Sequence, residues 1–236
     1  MEDPLQTQND LEKLLGRVFQ PLSPDQLQRM LNAARQLMDI DARHPLYAEA
    51  LSEAILPIED IDYRDMFRSR AATRFAVLGR WDEALAIANQ IEVLPEKLDN
   101  LLLLSSKLLK ENKQTRAEAI LSQVETAAFT GSLDQIWAWQ KVRILDETAG
   151  IWIRAGNKQG AMEAWENAIN IAREAASDHM DEDILIALQN MVGHLAPAGF
   201  LALAERAAEL IWFSARREIA NKIIAEAKEG DSASKP

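Results

Sequence analysis

The chain has 236 residues, 48% of them hydrophobic and 27% charged, with a mean hydropathy of −0.20, a balance that buries a core in water and excludes a disordered or fibrous chain. Thirty-seven acidic against 26 basic residues leave a net charge of −11, which argues against nucleic acid and anionic membranes as partners, because Lys and Arg hold both. There is no cysteine, so disulfides, thiol nucleophiles and Cys-ligated metals are ruled out.

The opening MEDPLQTQND has neither a basic leader nor an apolar stretch. The longest apolar runs, such as Ile184 to Leu188, fall far short of the ~20 residues of a membrane span. A cytoplasmic protein is expected. Nine glycines and eight prolines fall between apolar stretches that recur every three or four residues, which predicts an all-α chain. A short helix is expected over about 10–19, with Leu11, Leu14, Leu15 and Val18 on one side. The next starts at Ser23-Pro24-Asp25-Gln26, where Ser23 caps, Pro24 takes the first helical position and Gln26 closes a capping box. Its stripe runs from Leu27 to Met38. A third helix covers about 46–55, after His44-Pro45. Residues 1–60 are read as a helical cap of the same body, 61–212 as helix-hairpin repeats, 213–229 as a C-terminal capping helix and 230–236 as a flexible tail. The break near Ile211-Trp212-Phe213 is weak, and a helix continuing through it stays open.

Over 62–212 one segment can be laid on the next. The first reads Ala72-x-x-Phe75, then Gly79-Arg80-Trp81-Asp82-Glu83-Ala84, then Ala88 and Ile91. A shift of 33 gives Ser105-x-x-Leu108, Asn112, Ala117, Leu121 and Val124. A further 44 gives Ala149-x-x-Trp152, Gly156, Ala161, Trp165 and Ala168. A last 39 gives Leu188-x-x-Met191, Leu195, Phe200, Ala204 and Ala207. Each copy is an apolar helix, a break and a second helix with small residues at its contact points.

At these residues the chain resembles a degenerate tetratricopeptide repeat, whose unit of ~34 residues is a helix-turn-helix. The resemblance implies a right-handed α-solenoid of stacked antiparallel hairpins, about ten to eleven helices in all. It places the first helix of each pair on a concave face. The groove it implies contains Met66, Thr73, Leu102, Ser106, Leu109, Lys110, Ile153, Arg154, Leu185, Gln189 and Val192, with Arg143 at its border. Ser69, Val77, Asp146 and Gly150 share the same offsets. The family's lysine and asparagine set for a terminal carboxylate is missing, so the groove reads as a partly apolar trough for a peptide or helix segment. A C-terminal helix folded back into it is the competing occupant.

Catalytic signals are weak. His44, His179 and His194 belong to no metal or nucleophile motif, and no phosphate loop or dinucleotide fingerprint occurs. Asp178, His179, Asp181, Glu182 and Asp183 read as charges ahead of a helix rather than a cation site. Asp146-Glu147 and Glu163-Glu166 read as solvated helix faces. No catalytic residue, cofactor or metal is expected. Trp152 and Trp165 sit at stacking positions. Trp137 and Trp139, two apart, cannot share one side of a helix, so one is expected to be exposed as an aromatic anchor or covered by a neighbouring pair. The functional expectation is a non-enzymatic protein-binding scaffold, adaptor or regulatory subunit. The alternative is an acidic chaperone or inhibitor-like protein masking a segment of one client. A homo-oligomer, joined near Leu210 to Phe213, stays open.

Overall fold

The computed structural model describes residues 60–132, 134–175 and 182–233. Among these the regular elements are nine helices and no strand. They are α1 (Ile61–Val77), α2 (Trp81–Asn89), α3 (Leu94–Lys110), α4 (Gln114–Thr130), α5 (Ala138–Arg154), α6 (Lys158–Ala175), α7 (Glu182–Leu195), α8 (Leu201–Leu210) and α9 (Ser214–Ala233). No helix among the described residues is long and apolar enough to cross a membrane. The helices expected over 10–19, 23–38 and 46–55 lie outside the described residues. The chain divides into two compact units, one ending at Glu92 and one beginning at Val93.

In the first unit, α2 packs on α1, and a buried carboxylate ties the segment after α2 back to α1. Asp65 accepts the Glu92 backbone N–H at 2.7 Å and the Arg68 guanidinium at 2.9 Å. Arg64 and Arg68 both donate to Glu92 Oε1. The hydrogen bond from Arg68, with the positive charges of both arginines, outweighs desolvation and holds the Glu92 carboxyl below its ordinary range.

One turn recurs in both units. Gly79, Asn112, Gly156 and Gly199 have φ of 75°, 58°, 80° and 85°, the left-handed region in which glycine, and to a lesser degree asparagine, sits without a Cβ clash. Behind each, the N–H of Arg80, Lys113, Asn157 or Phe200 donates to the carbonyl of Phe75, Leu108, Trp152 or Leu195 at 2.9–3.0 Å. This six-to-one bond closes the first helix of each pair in a Schellman-type cap. The chain re-enters a helix at once, so the two helices fold back on each other.

The same geometry corrects the register of the last copy. Gly199 holds the turn, not Leu195, so the 39-residue shift is short by one helical turn. With that slip removed, the fifth residue after each left-handed turn is an alanine: Ala84, Ala117, Ala161 and Ala204, all 0% exposed. A methyl group there lets paired helices approach closely, and a larger side chain would force them apart. The matching positions on the first helices, Ala72, Ser105, Ala149 and Val192, are equally buried.

In the second unit α3 packs on α4, α5 on α6, and α7 on α8. The first helices also touch in series, α3 with α5, α5 with α7, and α7 with α9. The weak break after α8 is real, because Ile211 is extended, fully buried, and accepts a hydrogen bond from Arg217 Nε at 2.6 Å. The last helix spans Ser214–Ala233, so residues 230–233, expected in a loose tail, are helical.

The loop between α4 and α5 is clamped at Gly131. Lys141, buried on α5, donates its ammonium to the Gly131 carbonyl, and desolvation lowers its pKa against the opposing pull of Glu174. A Cβ on Gly131 would lie 2.8 Å from Ile136 Cγ2 and 3.0 Å from Leu94 Cδ2. Ile136 is branched and buried and cannot swing away. Gly131→Ala should therefore lower the unfolding free energy by about 1–3 kcal/mol, the usual cost of overpacking, measured by urea denaturation. A fall under a few tenths would show that the loop yields.

Candidate functional site

A cleft of about 670 Å³ opens in the second unit where α3, α5 and α7 run beside one another. It exists because residues at one repeated position are small. Ser106, Gly150 and Gly193 stand at the same distance ahead of their left-handed turn residues, and all three line it. Among the described residues a Cβ on Gly193 would meet nothing within 4 Å, and one on Gly150 would meet only Arg154 Nη1 at 3.8 Å. Leu102 and Leu103 of α3, Ile151 and Ile153 of α5, and Pro197 and Ala198 beyond α7 make the walls largely apolar, with Trp165 reaching in from α6.

The charged groups are arranged in two sets. Arg143 donates to both oxygens of Asp99 at 2.9 and 2.8 Å and to Glu147 at 2.8 Å, joining α3 to α5. Burial pulls the Arg143 guanidinium down, but the two carboxylates outweigh it and hold its pKa above the ordinary value. The second set centres on Asp146, which is 5% exposed. It accepts Trp165 Nε1–H at 2.8 Å on one oxygen and meets His194 Nδ1 at 2.7 Å on the other. An ionised carboxylate only accepts, so the ring carries its proton on Nδ1 toward Asp146. The hydrogen bond to Asp146 raises the His194 pKa above 6.5, burial opposes it, and the negative charges of Asp146 and Glu147 add to the rise.

The expected site residues divide accordingly. Leu102, Ser106, Ile153 and Arg154 line the cleft, and Arg143 braces its edge. Leu109 is half-buried and Lys110 exposed at the end of α3, neither on the lining. Leu185 and Val192 are corrected: they are 2% and 0% exposed, core residues of α7. Gln189 is half-buried and accepts a bond from Arg216 of α9 at 3.3 Å. These α7 misplacements share one cause, the four-residue slip, which moved the groove offsets off Gly193. Met66 and Thr73 are half-buried on α1 of the first unit.

Asp146, read as a solvated carboxylate, is instead a buried hub, and His194 is its partner. The signal was present, since Asp146 interrupts the inward apolar stripe Val142, Leu145, Ala149 and Trp152. Trp165 is core as expected and packs its ring 5.0 Å from Phe200. Trp137 is 66% exposed just ahead of α5, while Trp139 is half-buried; neither lines the cleft. His44 and His179 lie outside the described residues, as do Asp178 and Asp181, while Glu182 pairs with Arg216 at 2.9 Å. No described residue of α9 lines the cleft; the last helix packs on α7 and α8. Compared with protein-family models, curated proteins and solved structures, the chain matches none.

Asp146→Ala removes the acceptor of a buried indole N–H and should cost about 1–3 kcal/mol of stability, the range for stranding a buried donor, read by chemical denaturation. A cost near zero would mean that Trp165 finds another partner. The His194 contribution has a definite sign. Its folded pKa is raised, so the contribution is complete below the unfolded value near 6.5 and is lost as pH rises through the raised one. With the imidazole 61% exposed, the gain stays below about 1 kcal/mol. The stability gap between the native chain and His194→Gln should be largest at pH 5.5 and close by pH 9. A constant gap would refute the pairing.

Proposed function

We propose that this protein is a non-enzymatic scaffold, adaptor or regulatory subunit. In this reading it is a tetratricopeptide-like α-solenoid that binds a polypeptide segment in the groove formed by its first helices. The observation that carries the reading is the cleft itself, built from three consecutive first helices, floored by small residues at one repeated position and walled mainly by apolar side chains. Its volume is within the usual ~300–1,000 Å³ of ligand sites, and an apolar side chain of an incoming helix or strand fits such a space. The recurring left-handed turn, the buried alanine that follows it and the serial contact of α3, α5, α7 and α9 support a stacked-hairpin architecture.

The surroundings of Ser106 and His194 favour binding over hydrolysis. Acyl transfer needs free backbone donors for an oxyanion. The walls here are helix interiors whose N–H groups are spent within the helices. In the adjoining loop the N–H groups of Ala196, Ala198 and Gly199 all donate to carbonyls, and Pro197 has none.

A photoreactive p-benzoyl-phenylalanine replacing Leu103, which is exposed at the cleft, should crosslink discrete polypeptides in extract of the source cells. The same residue at Ser122 of α4, exposed and not on the lining, should not. A single stoichiometric product indicates a dedicated client, and several indicate an adaptor. Equal labelling from both positions, or none from Leu103, overturns the groove reading.

A further inference from the structure

The charges around the cleft are unequally satisfied. Asp99 and Glu147 are both bonded by Arg143, and Asp146 is bonded by Trp165 and His194. Arg154 makes no ion pair and no side-chain hydrogen bond among the described residues, and it is exposed on the lining. Its guanidinium folds back over Gly150, which has no side chain to displace it. His194 spends Nδ1 on Asp146, and its Nε2 has no hydrogen-bond partner among the described residues. The two unspent donors are both cationic or able to become so. Arg154 and His194 line the same cleft, together with Asp146 and Gly150.

We propose that the cleft holds a subsite for one acidic side chain of the partner segment, set beside an apolar residue and gripped between the Arg154 guanidinium and His194 Nε2. This rests on the groove reading above and adds the partner's chemistry to it. A basic side chain would find the local carboxylates already engaged, whereas an acidic one meets donors with nothing else to bind. The apolar neighbour is received by Leu102, Leu103 and Ile153. Proton uptake by His194 adds to the grip. The groups facing it in the cleft are Asp146, Glu147 and Arg154 of α5 and Asp99 of α3. Trp165 of α6 is uncharged, and α8 and α9, also packed on α7, place no titratable group on the lining.

The test uses the full-length ¹⁵N-labelled chain and two blocked peptides, acetyl-Leu-Glu-Leu-amide and its Leu-Gln-Leu counterpart, with amide shifts followed at pH 6 and pH 9. The Glu peptide should bind about five-fold tighter at pH 6, a gain on the scale of one partly exposed charged contact. Its advantage should shrink at pH 9, vanish in Arg154→Ala and survive in part in Arg154→Lys. Equal binding of the two peptides by the native chain, or a preference that survives Arg154→Ala, overturns the acid subsite. Where cleft amides still shift with both peptides, the groove reading stands without it. If neither peptide at millimolar concentration moves the amides of Gly150 and Gly193, the groove and the subsite fall together.

Discussion

The close approach of two helices at a buried alanine governs the molecule. A methyl group at Ala84, Ala117, Ala161 and Ala204 is what the inter-helix space admits, and the left-handed residue five positions earlier delivers each alanine to that space. Tight pairing leaves a hairpin with an uncovered apolar flank, which a lone pair cannot bury. In the second unit the following pair supplies the cover: Trp152 and Trp165 of one pair, and Leu108 and Leu121 of the pair before it, are all buried. Close packing inside a pair thus creates the demand for packing between pairs. The cleft is a by-product of the same rule, arising where small residues recur on the face that no described residue covers.

Within this apolar framework, Asp146 is the expensive exception. A carboxylate withdrawn from water is destabilising unless donors replace the lost hydration. Trp165 reaches it from α6 and His194 from α7, so three helices converge on one acid. The arrangement couples the interior to the cleft, because the imidazole that satisfies the buried acid also stands on the lining. Arg143 serves the equivalent seam between α3 and α5 from a more exposed position. Charge here joins helices that alanine and leucine bring into contact.

The all-α class and the hairpin boundaries at Gly79, Asn112 and Gly156 were legible in sequence, because each marks a real left-handed turn. At the last turn Pro197 and Ala198 precede Gly199, and Leu195 looked like an acceptable equivalent; apolar periodicity repeats each turn and cannot distinguish a register from one shifted by four residues. That single slip removed Gly193 from the candidate groove and put Leu185 and Val192 in it. Asp146 was harder. A helical period tells which side a residue occupies, but not whether a tryptophan nineteen residues on and a histidine from another hairpin arrive to satisfy it. Such partnerships are made by tertiary approach alone. The end of the last helix was similarly hidden, since Gly230 reads as a breaker and is accommodated inside α9.

The open space over Gly193 has an evolutionary consequence. A methyl group there would meet nothing within 4 Å among the described residues, and replacing a helical glycine with alanine favours the helix by up to about 1 kcal/mol, less in a last turn such as this one. The groove's contour can therefore drift by small substitutions that leave the framework sound or make it firmer. A lineage descended from this chain could reshape the cleft without first sacrificing its ability to fold, which separates the inherited framework from its surface contour at the level of one missing side chain.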